Sequence, residues 1–152
     1  LHGEQNVFRY LPLKGGMALR LFTADTDEQA LMVALAAQIC GTPLTVSCDP
    51  SDERKDLAGK LAALGAKVKE EKLDRFIESI PDYERIRTCS ANIPVEMYRR
   101  AADTNKFIAT DAPVKNGRIE LIHYLKEQSI AFEYHRYGSG QDQEPNIDEE
   151  YK

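Results

Sequence analysis

The chain has no tryptophan, only three cysteines and three histidines. It also has no apolar run near the roughly 20 residues that a membrane helix requires. The longest apolar stretch, Ala30 to Cys40, is interrupted by Gln38 and stopped by Gly41. No two cysteines form a C-x-x-C pair. Their odd number argues against a fully paired disulfide framework, and a reducing cytoplasm is the expected setting. Basic clusters are missing too. With a net charge of −5, no nucleic-acid partner is expected, because phosphate neutralisation needs a basic surface. There is no G-x-G-x-x-G and no Walker pattern, so the glycines that admit a pyrophosphate or triphosphate are absent. No secretory signal is visible, since His2, Glu4 and Arg9 break up any apolar core at the start.

What remains is an ordinary globular composition of 152 residues, 42% apolar and 30% charged. That length fits one domain and can bury a core. Residues 1–16 read as an extended lead-in, because Pro12 and the Gly15-Gly16 pair stop any helix. Strand and helix patterns then alternate. Met17 to Thr23 reads as a strand. Thr26-x-x-Gln29 is a capping box that opens a helix running to Cys40, with Gly41 as a left-handed cap. Leu44 to Ser47 is the next strand. Ser51 or Asp52 is the expected cap of a helix with the stripe Leu57, Ala58, Leu61, Ala62 and Leu64. Ala66 to Lys69 and Ile86 to Cys89 are short strands flanking a helix built on Leu73, Phe76, Ile77 and Ile80. Pro94 suits a first helical position, with Val95, Tyr98, Ala101 and Ala102 as the buried side. Phe107 to Ala109 is a fifth strand. In the last ordered stretch, Arg118 to Gly138, a helical pattern (Ile119, Leu121, Ile122, Leu125) turns into a period-two pattern (Ile130, Phe132, Tyr134), a helix feeding an edge strand.

Such alternation implies right-handed crossovers and a parallel sheet. The expected fold is α/β, a Rossmann-like three-layer domain over residues 17–138 with a mostly parallel sheet of five or six strands. Residues 139–152, with almost no apolar side chains and five acids after Gln141, read as a disordered acidic tail. The helix from Ala30 to Cys40 is apolar nearly all round, so it is expected to lie on the sheet, with Ala30, Ala34, Ala36 and Ala37 permitting close approach.

In open α/β sheets, ligands sit beyond the carboxyl ends of the strands. Those positions are Ala24-Asp25, Cys48-Asp49, Glu70, Cys89-Ser90 and Asp111. Cys40 at a helix carboxyl end reads as a small core residue, since the dipole there disfavours thiolate. Cys48 and Cys89 lie on the crevice side, yet no histidine is near either in sequence and Asp49 beside Cys48 raises a thiol pKa. His123 reads as a structural residue bordering a buried stripe. His135 shares a strand face with Glu133 alone as a further ligand type, which is too little for a metal. Asp25 and Asp49 resemble the strand-end acids of a receiver domain, but neither belongs to an adjacent acidic pair. No catalytic, cofactor or metal residue is expected. The cluster Tyr134, His135, Arg136 and Tyr137 reads as a contact surface, because Tyr and Arg are typical anchors.

Two segments carry a resemblance. Gly3-Glu4-Gln5-Asn6 followed by Phe8, Tyr10 and Pro12, and the stretch Arg118 to Gly138, resemble the carboxyl-terminal region of bacterial bifunctional proline dehydrogenase/1-pyrroline-5-carboxylate dehydrogenases. Ala36 to Asp52 is similar to the helix–Gly–strand–Pro-Ser-acid passage of the aldehyde dehydrogenase cofactor domain. That superfamily's Lys before the Pro is replaced here by Asp49, and its nucleophilic Cys in a Gly-x-Cys context has no counterpart among Cys40, Cys48 and Cys89. The resemblance implies a parent enzyme that oxidises proline to glutamate with FAD and then NAD+. It implies that this chain, which opens with Leu1, is a fragment resembling part of the aldehyde dehydrogenase fold without its catalytic equipment. No cofactor is expected in the fragment. Its implied role is structural: packing on the remainder of the parent chain, closing the path of the pyrroline intermediate, or supporting homo-oligomer contacts. The alternative is a free-standing Rossmann-like module binding a small ligand in the crevice near Cys89-Ser90 and Asp111.

Overall fold

The computed structural model describes residues 4–133. Among these, residues 10–127 form one unit and residues 4–9 with 128–133 another. Tyr134, His135, Arg136, Tyr137 and the expected acidic tail lie outside the described residues.

The larger unit is a five-stranded parallel sheet with helices on both faces. Its strands are β2 (Met17–Arg20), β3 (Leu44–Cys48), β4 (Lys67–Glu70), β5 (Arg85–Arg87) and β6 (Phe107–Ala109), in the order β4-β3-β2-β5-β6. Met17 aligns with Leu44 on one side and Arg85 on the other. The order therefore reverses at β2, and the crevice opens between the carboxyl ends of β2 and β5. The α/β class and the parallel sheet expected from the alternation are both present.

Alternation along β2 divides the core. Met17 and Leu19 join Val46, Leu57, Leu61 and the alanines of α1 (Asp27–Cys40) on one face. Ala18 joins Phe76, Ile80, Ile86, Met97 and Ala101 on the other. Helix α1 begins at the expected capping box, with Thr26 and Gln29 bonded reciprocally, and ends at Gly41 with φ of 66°. Ala30, Val33, Ala34, Ala36 and Ala37 are buried, as close approach to the sheet requires.

Several local expectations are corrected. Helix α2 (Lys55–Ala63) is preceded by Arg54, not capped by Ser51 or Asp52. The carboxylate of Asp52 instead receives the Arg54 guanidinium, which takes it out of capping. Helix α3 (Leu73–Ser79) passes directly into a 3-10 turn, Ile80–Asp82, that accommodates Pro81. Helix α4 (Val95–Asp103) buries Met97 and Ala101, one turn apart, while Val95, Tyr98 and Ala102 are exposed. Tyr98 instead donates its hydroxyl to the Ala91 carbonyl at 3.3 Å.

The largest departure follows Asn116. A short helix, α5 (Gly117–Glu120), leads into a 3-10 turn, Leu121–Tyr124. Its buried side chains are Glu120 and Tyr124; Ile119 and Ile122 face solvent. The apolar periodicity was misleading because the buried partner on this side is a charge, Arg87, which requires polar company. The following strand, β7 (Leu125–Glu133), does not edge the parallel sheet. It pairs with β1 (Glu4–Pro12) in a separate two-stranded sheet, within which Arg9 Nε donates to Gln128 Oε1 at 2.6 Å.

Candidate functional site

The site expected from the topology is the mouth of the crevice, formed by the segments after β2, β3 and β5. Its first wall is the crossover Leu21 to Thr26. This loop lacks glycine, so it must satisfy its own amides. Phe22 N–H donates to Asp25 Oδ2 at 2.8 Å, and Asp25 N–H returns to the Phe22 carbonyl at 3.0 Å. Thr26 N–H donates to Gln29 Oε1 at 2.9 Å, and Gln29 N–H to Thr26 Oγ1 at 3.2 Å. The Asp25 carboxylate is buried, and burial raises its pKa against the opposing Phe22 amide and the Arg54 charge.

Arg54 closes this wall from outside. Its Nη1 donates to the Asp25 carbonyl at 2.7 Å and its Nη2 to the Phe22 carbonyl at 3.3 Å. Asp52 takes two further guanidinium hydrogens, with Nε to Oδ1 at 2.8 Å and a short contact from Nη2. This bond holds Asp52 below the usual carboxylate range and Arg54 above its own ordinary value.

The second wall holds Arg20, a buried guanidinium at the end of β2. Its Nη1 donates to Ser47 Oγ and to the Glu71 carbonyl, both at 2.8 Å. Asp49 Oδ2 lies 3.8 Å from Nη2, too far for a hydrogen bond. Asp49 is engaged locally, its Oδ1 accepting from Ser51 Oγ at 2.6 Å and Ser51 N–H at 3.0 Å, which lowers its pKa. Arg20, Arg54, Asp49, Asp52 and Glu53 all line one cleft of about 640 Å3. Three carboxylates against two guanidiniums, one of them neutralised by Asp52, make an unfavourable place for a phosphate.

The third wall is the end of β5. Arg87 is fully buried, and its Nη1 donates to the carbonyls of Thr88 (2.9 Å) and Ala109 (3.2 Å) and, in a short contact, of Asp111. Its Nη2 meets both Glu120 oxygens at 3.1 and 3.4 Å. Glu120 also accepts from Tyr124 Oη at 2.7 Å and from Val114 N–H at 3.0 Å. Burial pushes Glu120 up, but these donors outweigh it and leave it below its ordinary value. Thr42 Oγ1 ties the same segment to the sheet, donating to the Tyr124 carbonyl at 2.7 Å and accepting from Leu13 N–H at 3.0 Å.

The thiols fall apart as a set. Cys89 is buried and its pKa is pushed up to about 12, by burial first and then by Asp25. Cys48 is half-buried and also raised. Burial leads, and the carboxylates responsible are Asp52 and Glu70 rather than the sequence neighbour Asp49. Cys40 is half-buried, with Sγ 3.9 Å from the Leu121 carbonyl. His123 is half-buried and lowered by burial. Among the described residues no group of three or more His, Cys, Asp and Glu is gathered for a metal. No helix of the described chain is long and apolar enough to cross a membrane. Of the strand-end positions singled out in the sequence, Asp25 and Asp49 bond within their own loops. Glu70, Ser90 and Asp111 stand exposed. The groups that organise the mouth are Arg20, Arg54, Arg87, Glu120 and Tyr124. The signal for Arg20 was an arginine closing an otherwise apolar strand.

Three amides of the first crossover are already used, Phe22 N–H by the Asp25 carboxylate, Thr26 N–H by Gln29 and Gln29 N–H by Thr26, and the adjoining wall is acidic.

No family model matches the chain, and no curated protein matches it. Several solved structures are similar. Histidinol dehydrogenase from Elizabethkingia anophelis superposes with a TM-score of 0.61 at 13% identity, over 74% of this chain and 29% of that one. The Δ1-pyrroline-5-carboxylate dehydrogenase from Mycobacterium tuberculosis, bound with NAD and cobalamin, gives 0.51 at 15% identity, over 71% of this chain and 23% of that one. Proline Utilization A from Corynebacterium freiburgense gives 0.49 at 27% identity, over 90% of this chain and 11% of that one. The chain thus spans less than a third of each of these proteins, and what it shares with the first two is a Rossmann-like fold.

Proposed function

We propose that this chain is the non-catalytic carboxyl-terminal domain of a bifunctional, cytoplasmic proline-catabolic oxidoreductase, whose other parts use FAD and NAD+ to take proline to glutamate through 1-pyrroline-5-carboxylate. One observation carries the reading. The two segments whose sequences resemble that family, residues 3–12 and 118–138, are far apart in the chain yet include the two strands of one sheet, β1 and β7. A resemblance scattered by chance has no reason to converge on paired strands. The three occupied amides of the first crossover and thiols whose pKa values are all raised support a domain that contributes shape rather than chemistry. Its role is then to pack on the remaining enzyme, to close the intermediate's path, or to support homo-oligomer contacts, with residues 3–12 and Tyr134 to Tyr137 as contact residues.

The test is reconstitution. The 152-residue chain alone, given 1-pyrroline-5-carboxylate and NAD+, forms no NADH, while the longer polypeptide that contains it does. NADH formed by the chain alone overturns the reading.

A second reading, a small-ligand module, is favoured by the 3.8 Å gap between Arg20 Nη2 and Asp49 Oδ2 in the 640 Å3 cleft. A hydroxyl or amide of an uncharged ligand bridges such a donor and acceptor.

A further inference from the structure

Helix α1 is apolar on its outer side as well as its inner one. Leu35 and Ile39 are 47% and 64% exposed, and Val114 opposite them is 40% exposed. With Met32, Ala36 and Leu121 they line an open apolar groove of about 300 Å3 between α1 and the segment before α5. Ile119 and Ile122, on the short helical stretch beyond, are 55% and 48% exposed. A helix that is apolar all round is normally covered on all sides.

We infer that this face, α1 from Met32 to Ile39 with the 114–122 segment, is where the domain docks on a neighbouring domain of the same polypeptide. The inference deepens the reading above and rests on it. Area selects the occupant. Five half-exposed aliphatic side chains amount to on the order of 450 Å2, within the range of a functional surface patch. Two such faces joined as a homodimer bury less than about 1,000 Å2, short of the roughly 1,200 Å2 of a stable association between free chains. The same area per side suits an interdomain contact within one chain, where about 600–1,500 Å2 in total suffices, because tethering supplies a high effective concentration. Charge selects the partner's chemistry. Among the described residues lining the groove, the exposed charges Glu28 and Lys115 neutralise each other at 2.9 Å, and one further exposed charge, Arg118, lies on the 114–122 segment. The occupant is therefore a mainly apolar ridge rather than a strongly basic segment.

The test is the double substitution Leu35→Lys with Ile39→Lys, made both in the 152-residue chain and in the longer polypeptide. The chain alone is expected to stay monomeric in sedimentation at about 100 µM and to keep its melting temperature, since both side chains face solvent. In the longer polypeptide, limited proteolysis next to the domain is expected to quicken by about tenfold or more, as the docked face opens. Unchanged cleavage there overturns the inference and leaves the functional reading standing. A wild-type chain that dimerises alone, and becomes monomeric on double substitution, overturns it in favour of a second copy. If cells contain only a 152-residue product, the functional reading itself fails on size, and the inference falls with it.

Discussion

The Arg54 guanidinium donates to the main-chain oxygen of Asp25 at 2.7 Å, from a residue 29 positions further along the chain. It thereby holds the crossover where Rossmann folds usually receive phosphate. Arg54→Ala removes this bond, the bond to Phe22 and the partner of Asp52. The expected loss is about 2 kcal/mol in urea unfolding, typical of hydrogen bonds to a charged group. Arg54→Lys is expected to recover little of it, because an ammonium cannot span both carbonyls and Asp52 in one plane. Full recovery by lysine would show that charge alone matters here.

The Arg87–Glu120–Tyr124 network fastens the 111–124 segment to the end of β5. Removing one partner of a buried ion pair strands the other, so Glu120→Ala should cost about 3–5 kcal/mol. Tyr124→Phe should cost about 1–2 kcal/mol for its lost bond to the carboxylate. Glu120 has a folded pKa depressed below its ordinary 4.5. Its contribution is therefore complete above pH 4.5 and is lost as pH falls through the lower, folded value. Stability measured against pH should fall on that acid side, and Glu120→Gln should flatten this part of the slope. An unchanged slope would remove Glu120 from the acid response.

Ala34 is buried where α1 meets the sheet. Ala34→Leu should overpack that contact and cost about 1–3 kcal/mol by urea melts. An unchanged midpoint would mean that α1 stands further from the sheet than its alanines indicate.

The cysteines should differ in reach and in thiolate content. With its pKa at about 12, Cys89 has almost no thiolate at pH 8 and is shielded, so it should react with a thiol reagent only when the chain unfolds. Cys40 and Cys48 are half-buried and should react slowly in the native state. Rapid native labelling of Cys89 would place it in an open site.

The alternation of strands and helices was legible because each element kept its own period: α1 declared both its cap and its stop, and Met17–Arg20 its buried face. The Glu120 segment was misread because periodicity scores Ile119 and Ile122 as inward and a glutamate as outward. Only the long-range presence of Arg87 reverses that preference. Arg54's hold on the crossover was invisible for a similar reason, since its partners there, the Phe22 and Asp25 carbonyls, are main-chain groups and carry no side-chain signature. The pairing of β7 with β1 was also beyond local reading. A period-two pattern fixes which face is apolar but not which strand lies alongside.

The central claim is that this domain contributes shape rather than cofactor chemistry. Isothermal calorimetry of NAD+ into the 152-residue chain tests it most directly. The account predicts no saturable heat up to millimolar cofactor; binding with a micromolar dissociation constant would contradict it.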